Sequence, residues 1–244
     1  MFERNKIYNM DCLRGMPMID DHSVDMILSD LPYGITGCRW DTVIPFDKLW
    51  SQYNRLIKPD GAIVLTASQP FTTELIYSNK RMFRYTWVWE KDQGVNFLNA
   101  KKQPLKVHED VCVFYKHLPV YNPQMTVGKP YISSGKGTSG EVTGKVPKIK
   151  KLNNGTRYPR SIIRFNKERG LHPTQKPVKL FEYLIKTYTN PGDLVLDSCI
   201  GSGTTAIAAI NTKRNFIGFE LDEHYFDVAN KRIKERRELE CQQV

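Results

Sequence analysis

Apolar residues along this chain fall into short clusters, and the clusters alternate between two spacings. Ile7–Leu13, Val24–Ser29, Ala62–Thr66, Tyr85–Glu90 and Val111–Tyr115 are rich in branched and aromatic residues and bounded by polar or glycine positions. Such runs predict strands. Phe46–Ile57 places Phe46, Leu49, Trp50, Tyr53, Leu56 and Ile57 at helical spacing and stops at Lys58-Pro59-Asp60-Gly61. Phe71–Ser78 predicts a second helix. Lys179–Thr187 predicts a third, with Leu180, Tyr183, Leu184 and Tyr188 on one side. Asp193-Leu194-Val195-Leu196-Asp197 reads as an apolar strand, Ala206–Ile210 as helix-like, and Asn215–Glu220 as the next strand. From Asp222 a tail helix carries Tyr225, Phe226, Val228, Ala229 and Ile233, and its last turns, Lys234–Glu240, are nearly all charged. Strands alternating with helices favour an α/β fold, a largely parallel sheet covered on both faces.

Residues 116–170 break this rhythm. Six glycines lie between Gly128 and Gly155, and the composition is that of a loop. Most of the net charge of +10 sits here. Lys129, Lys136, Lys145, Lys148, Lys150, Lys151, Arg157 and Arg160 face a single acid, Glu141, between Val127 and Arg160. A localised basic excess is the footprint of a polyanion-binding surface. The chain therefore reads as one compact domain with an insertion: 1–115, a basic insertion 116–170, and 171–244. No apolar run approaches membrane-spanning length, and the N-terminus is charged, so a soluble, cytoplasmic protein is expected. Five cysteines, an odd count with no close pair, and five scattered histidines argue against disulfides and against a metal site.

Two segments carry chemistry. Asp30-Leu31-Pro32-Tyr33 closes the run Val24–Ser29. An acid, a proline and an aromatic at a strand mouth can hold a flat ring bearing an amino group. The carboxylate accepts amino hydrogens, the tyrosine stacks on the ring, and the proline stiffens the backbone. The second segment is Asp197-Ser198-Cys199-Ile200-Gly201-Ser202-Gly203-Thr204-Thr205, with Glu220 nineteen residues after Gly201. Glycines let backbone approach a ligand, and an acid ending the following strand can accept ribose hydroxyls. The third glycine of the dinucleotide fingerprint is replaced by Ala206, so a nucleoside without a pyrophosphate fits better than NAD.

In this order, Asp-x-Pro-Tyr and Asp-x-x-x-Gly-x-Gly-Thr-Thr resemble the amino-methyltransferases of DNA in the permuted beta arrangement. Tyr8–Leu13, Trp87–Lys91, His108–Phe114, His172-Pro173-Thr174-Gln175-Lys176-Pro177 and Glu220–Tyr225 extend the likeness over nearly the whole chain. The resemblance implies a Rossmann-like S-adenosylmethionine-dependent methyltransferase fold with a mostly parallel seven-stranded sheet, and an antiparallel hairpin held within Trp87–Tyr115. It implies double-stranded DNA as partner, with the basic residues above as DNA contacts, and leaves a homodimer open. It assigns catalysis to Asp30, Leu31, Pro32 and Tyr33. It places the cofactor among Asp11, Cys12, Asp30, His172, Thr174, Lys176, Asp197, Cys199, Gly201, Gly203, Thr204, Thr205 and Glu220. Asp30 would accept one hydrogen of the target amine and the Leu31 carbonyl the other, localising the nitrogen lone pair toward the methyl group.

Two departures stand out. Leu31 replaces the usual proline of the tetrad, and Cys199 the usual aromatic of the loop. Because the tetrad begins with Asp30, the resemblance favours N6 of adenine over N4 of cytosine, whose enzymes more often carry serine there. A protein-glutamine methyltransferase more often has asparagine there and needs no basic insertion. A catalytically silent DNA-binding regulator is the alternative of another class, and the intact Asp30, Pro32 and Tyr33 argue against it.

Overall fold

A computed structural model of the chain describes residues 2–38, 41–134, 138–140, 144–146, 150–168, 170–171 and 173–242. In chain order the elements are β1 (Lys6–Asn9), α1 (Cys12–Gly15), β2 (Val24–Asp30), α2 (Phe46–Leu56), β3 (Ile57–Ala67), α3 (Phe71–Ser78), β4 (Phe83–Val95) and β5 (Lys106–Phe114). Six short strands follow: β6 (Thr126–Val127), β7 (Tyr131–Ser134), β8 (Thr138–Gly140), β9 (Gly144–Val146), β10 (Lys150–Asn153) and β11 (Thr156–Arg157). The chain ends with β12 (Ile162–Arg164), α4 (Val178–Tyr188), β13 (Leu194–Asp197), α5 (Thr204–Asn211), β14 (Asn215–Glu220) and α6 (Glu223–Cys241).

Two compact units result: Met1–Asn122 with Ser161–Val244, and Pro123–Arg160. The larger holds a sheet in the order β1-β14-β13-β2-β3-β5-β4-β12. Its pairs are parallel except β3–β5 and β5–β4. The β4–β5 hairpin is the antiparallel element expected within Trp87–Tyr115, extended at both strands toward its turn.

Side-chain alternation sorts the core into two layers. In β3, Ala62 and Val64 face one way and Ile63, Leu65 and Ala67 the other; β5 divides likewise, with Val111 and Val113 opposite Cys112 and Phe114. One layer packs under α4, α5 and α6, through Leu184, Ala208 and Ala229 among others. The opposite layer packs under α1, α2 and α3, through Cys12, Tyr53 and Leu75. The helices cover both faces, as expected.

The sheet has eight strands where seven are expected. The eighth is β12, parallel to β4 at the sheet edge. Its three residues follow a glycine- and proline-rich stretch and give too short an apolar signal to stand out from the insertion. Burial of Ile163, a hydrogen bond from Trp89 Nε1 to the Phe165 carbonyl (2.8 Å) and an Arg164–Glu90 ion pair hold it. β1 is shorter than Ile7–Leu13, because Asp11 accepts a hydrogen bond from the Leu13 amide (2.8 Å) and caps α1.

From β2 the chain crosses through α2 to β3 on one side; from β13 it crosses through α5 to β14 on the other. β2 and β13 are therefore neighbours whose connections diverge. A crevice opens beyond the carboxyl ends of strands at such a switch point. Those ends are Asp30 and Asp197.

The unit Pro123–Arg160 is built from antiparallel pairs: β7 with β10, β6 with β11 and β8 with β9. A stretch expected as loop thus carries short strands. Among the described residues, no helix is long and apolar enough to cross a membrane.

Candidate functional site

Asp30 ends β2, and its register partner on β3 is Thr66. Its Oδ1 accepts hydrogen bonds from the Tyr33 hydroxyl (2.9 Å) and from Thr66 Oγ1. Its Oδ2 takes the Lys176 ammonium at 2.6 Å. Leu31 turns into the core at 4% exposure, anchoring the loop where a proline is usual. The Tyr33 ring stacks on Phe71, with centroids 5.1 Å apart, and Lys176 Nζ lies 5.4 Å from the Tyr33 centroid. Burial, then the Asp30 and Glu109 charges, push the Tyr33 phenol far above its ordinary value, so it remains a hydrogen-bond donor to Asp30.

The loop after the tetrad is shaped by Asp41, which the sequence reading missed. Its carboxylate accepts the amides of Gly34 (2.9 Å), Ile35 (3.0 Å) and Thr36 (2.7 Å). Burial opposes its charge, but the Thr36 side chain and these amides hold its carboxyl below the usual range.

Behind Asp30 lies a second missed group. Glu109 on β5 binds the Lys91 ammonium of β4 through Oε1, and Lys176 Nζ is 3.3 Å from its Oε2. Burial works against its charge too, but Lys176 and Lys91 hold the Glu109 carboxyl below its ordinary value. Lys176 is buried at 5% exposure; burial acts to lower its ammonium, and Asp30 and Glu109 together hold it above the usual lysine value. A sequence signal existed. Glu109 continues the period-two stripe Val111, Val113, and Lys91 continues Trp87, Trp89; both stripes are buried, and Trp89 and Glu109 are register partners. Opposite charges extending two paired buried stripes predict an inward ion pair.

The glycine loop is stitched to β2. The Ser198 amide donates to Ser29 Oγ (2.9 Å), and Tyr53 of α2 hydrogen-bonds Ser198 Oγ (2.6 Å). Asp197 lies inside the loop, accepting the Cys199 amide (3.0 Å) and the Thr205 hydroxyl. Burial pushes its carboxyl up to about 7, despite these bonds. Glu220 accepts the Gly201 amide through Oε2 and the Asp222 amide through Oε1, both at 2.8 Å, and burial raises its carboxyl above the ordinary range. The two glycines differ in purpose. Gly201 has φ +53 and open space where a Cβ would be, so backbone forms the cavity wall. Gly203, at φ +85, caps α5 and packs against Ala229 of α6, where an added Cβ would stand 3.1 Å from Cβ of Ala229. It does not line the cavity.

One cavity of about 1310 Å³ joins the two segments. Asp11, Cys12, Asp30, Leu31, Pro32, Tyr33, Thr174, Lys176, Asp197, Cys199, Gly201, Thr204, Thr205 and Glu220 all line it. Its size exceeds the range of roughly 300–1,000 Å³ typical for one small ligand, which leaves room for a nucleoside and a base together. The chemistry of the donor set suits S-adenosylmethionine: a bare backbone wall at Gly201 and a carboxyl at Glu220 able to meet hydroxyl hydrogens, with Asp197 bracing the loop from within. Cys12 and Cys199, distant in sequence, both line the cavity as free thiols. Thr204 Oγ1 donates to the Lys176 carbonyl (3.3 Å), tying the segment before α4 to the glycine loop. His172 lies outside the described residues. No group of histidines, cysteines and acids able to hold a metal occurs among the described residues.

In the unit Pro123–Arg160, Lys129, Lys150, Lys151 and Arg160 are exposed. Arg157 is engaged within the unit: it donates to the Lys129 carbonyl (2.6 Å) and Asn153 (2.6 Å) and lies 4.6 Å from the Tyr131 ring centroid. Lys145 lies on β9. Lys136 and Lys148 lie outside the described residues.

A family model described as DNA methylase, of the N6/N4 type, matches residues 24–231. Type II methyltransferase M.BglII of Bacillus subtilis is 31% identical, over 92% of this chain and 68% of its own length. DNA adenine methyltransferase YhdJ of Escherichia coli is 26% identical, over 95% and 83%. The crystal structure of the M1.HpyAVI–SAM complex superposes with TM-score 0.64 at 25% identity, covering 93% of this chain and 98% of that one. The PvuII cytosine-N4-specific DNA methyltransferase shares the fold, with TM-score 0.70 at 16% identity, over 97% and 92%.

Proposed function

The chain belongs to the N6/N4 DNA methylase family and is an S-adenosylmethionine-dependent DNA methyltransferase, and we propose that its target is N6 of adenine in an extruded base. The observation that carries the adenine reading is the aspartate at the head of the tetrad, in one cavity that the Gly201 backbone also lines. The relative YhdJ, 26% identical, is named an adenine methyltransferase.

The chemistry follows from the groups present. The exocyclic amine is a poor nucleophile because its lone pair is delocalised into the ring. Asp30 accepts one amino hydrogen and the Leu31 carbonyl the other, which localises the lone pair and aims it. Tyr33, held by Asp30 and Phe71, offers its ring to the base. Extrusion costs roughly a few kcal/mol, and stacking returns on the order of 1–3 kcal/mol. S-adenosylmethionine supplies an activated methyl group; Glu220 would meet its ribose, Gly201 its backbone-lined flank, and Asp11 and Cys12 its adenine. Thr174 and Lys176, which line the cavity, would meet its methionine portion, a role the family resemblance also implies for His172. As the nitrogen–carbon bond forms and the carbon–sulfur bond breaks, the nitrogen's surplus proton leaves toward Asp30. The exposed lysines of Pro123–Arg160 are the proposed phosphate contacts on double-stranded DNA.

Nucleoside analysis of unmethylated DNA treated with the protein and labelled donor tests the reading. N6-methyladenine, absent with Asp30→Ala, is expected. Label in N4-methylcytosine overturns the adenine target, and no label above the variant favours the silent binder.

A further inference from the structure

Of the buried charges behind Asp30, Glu109 and Lys91 have no part in the chemistry above, and Lys176, assigned there to the methionine side of the donor, also sits where the substrate must act. Asp30 is already occupied by neighbouring side chains: Oδ1 receives two hydroxyls and Oδ2 receives Lys176 at 2.6 Å. That ammonium also lies over Tyr33, the ring offered to the base. An ammonium held there competes with the target amine for the carboxylate. It also opposes the positive charge that grows on the nitrogen during transfer. Glu109 provides an alternative. Its Oε1 is taken by Lys91, while its Oε2 is shut from solvent, accepts no hydrogen bond among the described residues, and stands 3.3 Å from the same ammonium. A buried carboxylate oxygen held only by this longer ion-pair contact is under-satisfied, and a state that brings the ammonium fully onto it relieves that cost.

We propose that Glu109 is the second seat of the Lys176 ammonium: arrival of the target base moves Lys176 from Asp30 Oδ2 onto Glu109 Oε2 and frees Asp30 for the amine. Glu109 is then a positioning residue that acts through Lys176. The exchange needs a small side-chain movement because both carboxylates already face one ammonium. Lys91 keeps Glu109 ionised and fixed through the other oxygen. The inference rests on the methyltransferase reading of the same cavity.

Single-turnover methyl transfer at saturating donor and DNA tests it with wild type, Glu109→Gln and the double variant Glu109→Gln/Lys176→Gln. Glu109→Gln removes the charged seat and pins Lys176 on Asp30, so transfer slows by about tenfold or more, the worth of one charge-assisted hydrogen bond. Lys176→Gln alone serves as the reference for the double variant, because it carries any loss from the donor side. With no ammonium to displace, the double variant transfers as fast as Lys176→Gln. A merely structural role for Glu109 makes the double variant slower than Lys176→Gln by the same factor that separates Glu109→Gln from wild type, and that result, or a Glu109→Gln rate equal to wild type, overturns the proposal. Should Glu109→Gln not fold, the crystal structure of wild type with DNA and sinefungin decides. Lys176 Nζ bonded to Glu109 supports the exchange, and Nζ still on Asp30 Oδ2 refutes it. Wild type that methylates no DNA would instead bring down the underlying reading.

Discussion

Asp197→Asn should remove a pH dependence from the stability of the fold. The Asp197 carboxyl is 2% exposed, and burial pushes it up to about 7, against an ordinary aspartate value near 3.9. Below about pH 4 it is protonated whether the chain is folded or unfolded. Between about pH 4 and 7 the unfolded chain ionises it while the folded protein keeps the proton, so stability falls as pH rises. Each pH unit costs about 1.4 kcal/mol, and the full interval about 4 kcal/mol, an upper figure because relaxation and water entry reduce it. Asparagine imitates the protonated form. Its Oδ1 can still accept the Cys199 amide, and the Thr205 hydroxyl can turn to accept from its amide. Urea unfolding of both proteins from pH 5 to 8 gives the difference, in which every other titrating group cancels. The variant should gain on wild type steadily over this range and level off above about pH 7. Parallel curves would show that Asp197 is ionised in the folded protein.

Asp41→Ala should cost about 2–4 kcal/mol at pH 7 by urea unfolding, because three loop amides lose their acceptor. Its carboxyl is depressed, so this gap should persist above the unfolded pKa near 4 and close as pH falls through the lower folded value. Gly203→Ala should destabilise by about 1–3 kcal/mol, from left-handed backbone and the contact with Ala229, while Gly201→Ala should weaken donor binding in calorimetry more than it weakens the fold. Neutralising Lys148, Lys150 and Lys151 together should flatten the dependence of log DNA affinity on log salt by about 2–3; an unchanged slope moves the phosphate path elsewhere.

The strands and the tetrad were legible because they obey local rules. A buried parallel strand is a dense apolar run, and Asp30-Leu31-Pro32-Tyr33 ends one. The glycine loop was legible because positive φ at Gly201 and Gly203 demands the residue type, although the sequence could not show that only Gly201 faces the cavity. Asp41, Lys91 and Glu109 escaped notice because their meaning is relational. Asp41 caps amides five to seven residues back, which looks in sequence like an ordinary loop acid. Glu109 and Lys91 become a pair only when β4 and β5 are in register. β12 escaped because three residues carry little periodic signal, and its stability comes from Trp89 and Glu90, more than seventy positions away.

In the proposed reaction Asp30 acts on the amine of the target base within a cavity that Gly201 also lines. Single-turnover transfer by Asp30→Asn at saturating donor tests it most directly, since the amide keeps the shape and loses the charge that the amine hydrogens seek. A fall of about a hundredfold to a thousandfold from wild type is expected, the range for removing one transition-state hydrogen-bonding group. A rate within tenfold of wild type would contradict that role for Asp30.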